Sequence, residues 1–329
     1  MTGGTSPHPD DVTEARGRIA DVARKTPLER SAALSERAGC DVLLKLECWQ
    51  PTRSFKVRGA LNAIRSLSPE RLAAGVVTAS AGNHGQAVAL AARAAGVHAT
   101  VFVPHGAPAL KQRSIARLGA ELRTDSATYD DAEEAARAFA DDTGTVFVHA
   151  FSDPAVVAGQ GTIALELLEE CPDLREVIVP VGGGGLIGGI GSVLKTLRPA
   201  TRVIGVQSTE TRAMHAAFAA GHVVDVPVPP TLADGLAGRT DDASFQLARR
   251  VVDELLLVTE PQIAEAIRFL YDEDAVVAEG SGAVGVAVIL SGGVRPRGPV
   301  AVIVTGGNID AGLLAQTVGT GGRGTRIPL

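Results

Sequence analysis

Short apolar runs alternate with alanine-rich amphipathic stretches along most of the chain. Runs of four or five residues, rich in β-branched side chains, occupy 42–46, 75–78, 99–103, 145–148, 177–181, 203–206, 254–258 and 300–304. Between them, apolar positions recur at helical spacing over 86–95, 109–118, 132–140, 159–170, 192–197, 211–220 and 261–271. A strand covered on both faces reads as an unbroken apolar run, whereas a half-exposed strand alternates. The runs here are unbroken. The pattern therefore predicts an α/β fold of parallel sheets joined by helical crossovers.

No fixed-period repeat and no low-complexity linker interrupts this series. Three compact strand–helix units lie between 54 and 144, and a longer series follows Thr145. The expected division is a small α/β domain at 54–144 and a large one built from 1–53 plus 145–329. Residues 290–298, with Gly and Pro, predict a loop, and 319–329 a frayed tail.

Composition narrows the class. With 329 residues and 45% apolar content the chain can bury a sizeable core, which excludes disorder. A formal charge of −6 leaves no basic surplus for a nucleic-acid backbone. The cysteines, Cys40, Cys48 and Cys171, show no CxxC spacing and leave an odd thiol, so a reducing, cytoplasmic compartment is expected, without disulfides or zinc. The first residues, MTGGTSPHPDD, lack the apolar core of a signal peptide. The one long uncharged stretch, 177–194, carries seven glycines and Pro180 and makes a poor membrane span.

That same stretch is the most informative for chemistry. It reads as a strand, then Gly182, Gly183, Gly184 and Gly185, then a helix. Unobstructed backbone N–H groups at a helix start favour a bound phosphate. A tight turn with no ligand is the bland alternative. Gly183, Gly185 and Gly188 also satisfy G-x-G-x-x-G, the dinucleotide fingerprint. That fingerprint wants an acid about twenty positions on; the strand ending VIGVQ supplies Gln207 instead. A cofactor with one phosphate monoester fits better.

Three further segments stand out. In PTRSFKVRGA, Thr52 or Ser54 can cap a helix with Lys56 in its first turn, where the helix dipole favours a neutral amine. In TASAGNHGQ, Ser80 and Asn83 with free N–H groups form an anion cradle sized for a carboxylate, although Asn83 and His84 taken alone read as turn and cap residues. In VTGGNID, Thr305 places a hydroxyl at the C-terminal edge of a strand, where ligands of open α/β sheets gather.

SFKVRGA, SAGNHGQ, GGGGLIGG and TGGNID, in this order, resemble the fold-type II (tryptophan synthase β-like) pyridoxal-phosphate enzymes, most of all the threonine/serine dehydratases and serine racemases. DPAVVAGQGTIALE, TLADGLA and AEGSGAVG extend the similarity, which runs from about Thr26 to Asp310. The resemblance implies pyridoxal 5′-phosphate held by Lys56 as a Schiff base, with Phe55 packed on its ring. It implies that Asn83 bonds the ring hydroxyl, that Gly182, Gly183, Gly184, Gly185 and Leu186 hold the phosphate, and that Thr305 faces the pyridine nitrogen. Gly235 and Glu279 would lie near the ring. Ser80, Ala81, Gly82, Asn83 and His84 would take the carboxylate of a small amino-acid substrate. A homodimer or higher homo-oligomer is implied as well.

The departures discriminate. Family racemases carry a second serine directly before Gly-Asn-His, acting from the opposite face; here that position is Ala81. Their divalent-cation acids match Gln207 and Ala213, neither a carboxylate, so no metal is expected. Phe151 in HAFSDP also matches dehydratases better. The chain ends about twenty residues beyond TGGNID, too short for the regulatory domain of biosynthetic threonine dehydratases. The expectation is β-elimination of water from L-threonine or L-serine. Met214-His215 and AEGSGAVG also resemble the hydroxyectoine-utilisation dehydratases; cysteine synthase-like and racemase readings follow. Outside the family stand an NAD-dependent oxidoreductase and a catalytically silent small-molecule binder.

Overall fold

The computed structural model describes residues 6–319 apart from Pro108, so most of the expected tail at 319–329 lies outside the described residues. Among the described residues, ten strands form two sheets: β1 Leu28–Arg30, β2 Val42–Lys45, β3 Val76–Ala79, β4 Ala99–Pro104, β5 Glu121–Ser126, β6 Val146–Phe147, β7 Glu176–Pro180, β8 Arg202–Ser208, β9 Glu254–Val258 and β10 Val300–Ile303. The larger sheet has the order β1-β2-β10-β7-β8-β9 and the smaller β5-β4-β3-β6. Every pairing is parallel except the antiparallel edge pair β1–β2.

Both faces of each sheet are covered, as unbroken apolar strands require. In β7, Val177 and Val179 enter one core and Ile178 the other. The smaller sheet likewise separates two cores: Val76 faces one and Val77 the other. β6 belongs to this smaller sheet through its pairing with β3. The strand thus lies two to three residues past the expected boundary at 144. Among the described residues, no helix is long and apolar enough to cross a membrane.

The helix predicted to carry Lys56 spans Lys56–Arg65, but it is not capped by Thr52 or Ser54. Phe55 occupies the N-cap with no side-chain bond, and Ser54 Oγ is buried without a partner. The segment is positioned instead by β10's continuation: Phe55 N donates to Thr305 O at 3.1 Å and Gly307 N to Arg53 O at 2.9 Å. Arg53 takes φ 56°, an uncommon conformation for a non-glycine residue, to turn the chain into that contact.

Candidate active site

The C-terminal ends of β3, β7 and β10 open onto one cavity of 620 Å³ between the two sheets. All the expected site residues line it: Phe55, Lys56, Ser80, Ala81, Gly82, Asn83, His84, the four glycines from Gly182 to Gly185, Leu186, Gly235, Glu279 and Thr305. Residues up to 250 apart in sequence are brought together by the strand order.

Lys56 is the first residue of its helix, and its Nζ donates to Ala150 O at 2.8 Å. Its pKa is lowered to about 8. The direction agrees with the expectation, and burial of the amine is a sufficient cause.

The glycine loop joins β7 to the helix Gly185–Leu197. Its composition has a packing reason. A Cβ on Gly183 would lie 2.5 Å from the ring of Phe151, and one on Gly185 would lie 2.4 Å from Phe151 O. Gly184 has φ 106°. Phe151 therefore occupies the space that side chains would need. The loop still presents the first turn of a 13-residue helix to the cavity, with amides that have no acceptor within the helix.

Across the cavity, the helix Asn83–Ala95 starts directly after Gly82. The Gly82 amide is already spent on Ser80 Oγ at 3.1 Å, so it is not a free donor of the cradle. His84 Nε2 contacts Val148 O at 3.0 Å, and burial lowers the imidazole pKa to about 3, keeping it neutral. Asn83 is neither a turn nor a cap residue: its Nδ2 donates to Glu279 Oε1 at 2.7 Å. Burial, with Asp234 nearby, raises Glu279 to about 7.

Comparison with known proteins bears on what this cavity holds. Residues 19–306 match the family described as pyridoxal-phosphate dependent enzyme. An L-threonine ammonia-lyase of Thermotoga maritima is 45% identical over 313 residues, covering 95% of this chain and 78% of that protein. The chain belongs to the family of pyridoxal-phosphate-dependent enzymes. A serine racemase of Arabidopsis thaliana is 37% identical over 309 residues, covering 92% of this chain and 93% of the relative. The structure of maize serine racemase matches with a TM-score of 0.91 at 34% identity, over 96% of this chain and 98% of the other. The fold is thus that of the fold-type II pyridoxal-phosphate enzymes.

The residues present fit pyridoxal phosphate. The cavity offers an amine that loses its proton easily, a helix start reached through four glycines with no acidic residue in its first turn, and a neutral hydroxyl at Thr305. Ser281 Oγ and His84 Nδ1, on two residues that line it, are buried without hydrogen-bond partners.

Two groups of residues in this pyridoxal-phosphate enzyme escaped the sequence reading. Asn308, from the quoted TGGNID, reaches both Asn83 and Glu279. Arg58, buried behind the lysine, binds Glu47 at 2.8 Å and Glu166 at 2.6 Å. Lys45 joins them through Glu166 at 2.8 Å. A charge two positions after Lys56, amid the small and apolar residues Val57, Gly59, Ala60 and Leu61, was the available signal. Gln207, matched above to a racemase cation ligand, donates its Nε2 to Val181 O at 3.0 Å and Thr211 O at 2.7 Å, and its Oε1 accepts from His215 N at 2.7 Å.

Proposed function

We propose that this enzyme eliminates water from L-threonine or L-serine, releasing a 2-oxo acid and ammonia. One observation carries the proposal. The cavity pairs a basic amine, Lys56, with Ala81 in the loop after β3, where a side-chain acid would be needed to return a proton to the other face of Cα.

Bound pyridoxal phosphate supplies an aldehyde that holds the amino group and an electron sink for the charge left at Cα. Lys56 would hold the cofactor and, once displaced, take the Cα proton; a pKa near 8 leaves a useful fraction of free base at mildly alkaline pH. The amides of Gly182, Gly183, Gly184, Gly185 and Leu186 would hold the phosphate at the helix start. Phe55 would pack on the ring, Gly235 and Glu279 would flank it, and Asn83 would donate to its hydroxyl. Ser80, Ala81, Gly82, Asn83 and His84 would receive the substrate carboxylate. Thr305 would face the pyridine nitrogen. Its hydroxyl already donates to Ser281 O at 3.3 Å and carries no charge, so it holds a ring proton less firmly than a carboxylate would. That favours elimination, in which the leaving hydroxyl drains the electrons.

The same reading assigns 54–144, extended by β6, as the small domain, a homodimer or higher homo-oligomer as the assembly, and the reducing cytoplasm as the setting for three free thiols. Racemisation is the second reading, favoured by the maize structure's TM-score of 0.91 and opposed by Ala81. A hydroxyectoine-utilisation dehydratase is the alternative within the elimination class.

The test is a steady-state screen of L-threonine, L-serine, 3-hydroxyaspartate and hydroxyectoine-derived amino acids. The expected result is 2-oxobutanoate from threonine or pyruvate from serine, without added nucleotide. Turnover of only the hydroxyectoine-derived substrate moves the function to that branch, and strict dependence on NAD rejects the reading.

A further inference from the structure

We infer that Asn308 is a positioning residue that sets which way the Asn83 amide faces, so that Asn83 meets the cofactor as a donor. The inference rests on the reading of Asn83 as a cofactor contact. It adds the group that gives Asn83 its polarity.

Thr52 O is a backbone carbonyl and only accepts. Asn308 Nδ2 lies 2.8 Å from it and 2.7 Å from Asn83 Oδ1. The atom facing Thr52 O must therefore be the NH2 group, and both of its hydrogens are spent. Asn83 must then turn its carbonyl oxygen toward Asn308. Its own Nδ2 is left to Glu279 Oε1, at 2.7 Å. The circuit closes through Asn308 N, which donates to Glu279 Oε2 at 3.2 Å. If Asn83 were flipped, two NH2 groups would face each other.

Nδ2 of Asn83 carries two hydrogens, one of which is on Glu279, and the other is available to a ligand in the cavity that Asn83 lines. An electron-rich oxygen on a ring is the matching acceptor. Gly306 keeps the circuit possible, because a Cβ there would lie 2.2 Å from Glu279 Oε1 and 3.2 Å from Asn83 Nδ2.

Asn308→Asp keeps the size but can donate to neither Thr52 O nor Asn83 Oδ1. Asn83 should then turn its NH2 group toward the new carboxylate. The experiment titrates pyridoxal phosphate into unloaded wild type, Asn308→Asp and Asn83→Ala, reading the dissociation constant and the absorption maximum of the bound cofactor. The expected result is affinity at least about tenfold weaker in both variants, with a displaced absorption maximum in Asn308→Asp. Weakening in Asn83→Ala with none in Asn308→Asp overturns the inference alone. No change in either overturns it together with Asn83's place at the cofactor. Should Asn308→Asp not fold, exchange of the side-chain amide protons in 15N-asparagine-labelled wild type decides. Both Asn308 protons should be protected, and rapid exchange of either overturns the inference.

Discussion

Lys56 and Arg58 stand two residues apart at the start of one helix and serve opposite sides of it. The Lys56 amine lies on the cavity wall, 2.8 Å from Ala150 O. The Arg58 guanidinium is buried behind it, held by Glu47 at 2.8 Å and Glu166 at 2.6 Å. The rotation of the helix about its axis, and with it the aim of Lys56, is thereby fixed from the rear.

Replacing Arg58 by Met should destabilise the protein by about 3–5 kcal/mol, because it takes the shared guanidinium counter-charge from two buried carboxylates, Glu47 and Glu166. Urea unfolding of the unloaded protein measures this, and an unchanged midpoint would contradict it. A pH dependence accompanies the loss. Burial would raise the Glu47 pKa, but the charge and hydrogen bonds of Arg58 outweigh it, and the folded value is lowered. Such a group stabilises the fold above the ordinary carboxylate range, and the contribution disappears as pH falls through the depressed value. Wild type should therefore withstand acid better than Arg58→Met, which circular dichroism between pH 3 and pH 6, a span of about three units around the carboxylate range, would show.

Gly183→Ala should weaken cofactor binding by about tenfold or more, because the new methyl would fall 2.5 Å from the Phe151 ring and the loop would have to move. Gly182→Ala meets Leu236 Cα at 3.3 Å and should be tolerated better. Equilibrium dialysis against pyridoxal phosphate separates the two; equal affinities would place the phosphate elsewhere.

Much of this arrangement was visible in the amino-acid order, for identifiable reasons. β7 and β10 are buried on both faces and so read as unbroken apolar runs. β5 did not, because ELRTDS lies at a sheet edge with exposed charged positions in alternation. The helix Gly280–Leu290 escaped for the opposite reason: every residue is buried, so no polar stripe marks a period. The lysine and glycine motifs are local and stood out. Arg58's partners are 11 and 108 residues away, and Asn308 meets Asn83 across 225 residues. No spacing rule encodes such meetings; the order of strands in the two sheets does.

The amine of Lys56 should titrate near pH 8 in the unloaded protein. Its lowered value means that the folded state resists protonation, so stability rises with pH between about 8 and the ordinary lysine value, the reverse of a paired lysine. Competitive labelling with an acylating reagent, followed by peptide analysis, reads the midpoint directly. A value near that of a solvent-exposed lysine, about 10.4, would remove burial as the activating device.

Ala81 should decide between elimination and racemisation. In the proposed arrangement Lys56 would reach Cα from one side only, and alanine would offer no proton from the other. Wild type should form little D-serine from L-serine, and Ala81→Ser should form measurably more at equal turnover. Chiral chromatography gives the ratio, and abundant D-serine from wild type would contradict the assignment of elimination.

Lys56 as the residue that holds the cofactor can be tested most directly by borohydride reduction of the loaded enzyme and mass mapping of its peptides. Three lysines are informative: Lys56 and Lys111 line the cavity, whereas Lys45 is locked in the buried ion cluster. The expected adduct is on Lys56, and Lys56→Ala should give neither adduct nor 2-oxo acid while remaining folded. A cofactor adduct on Lys111 or Lys45, or full turnover by Lys56→Ala, would contradict it.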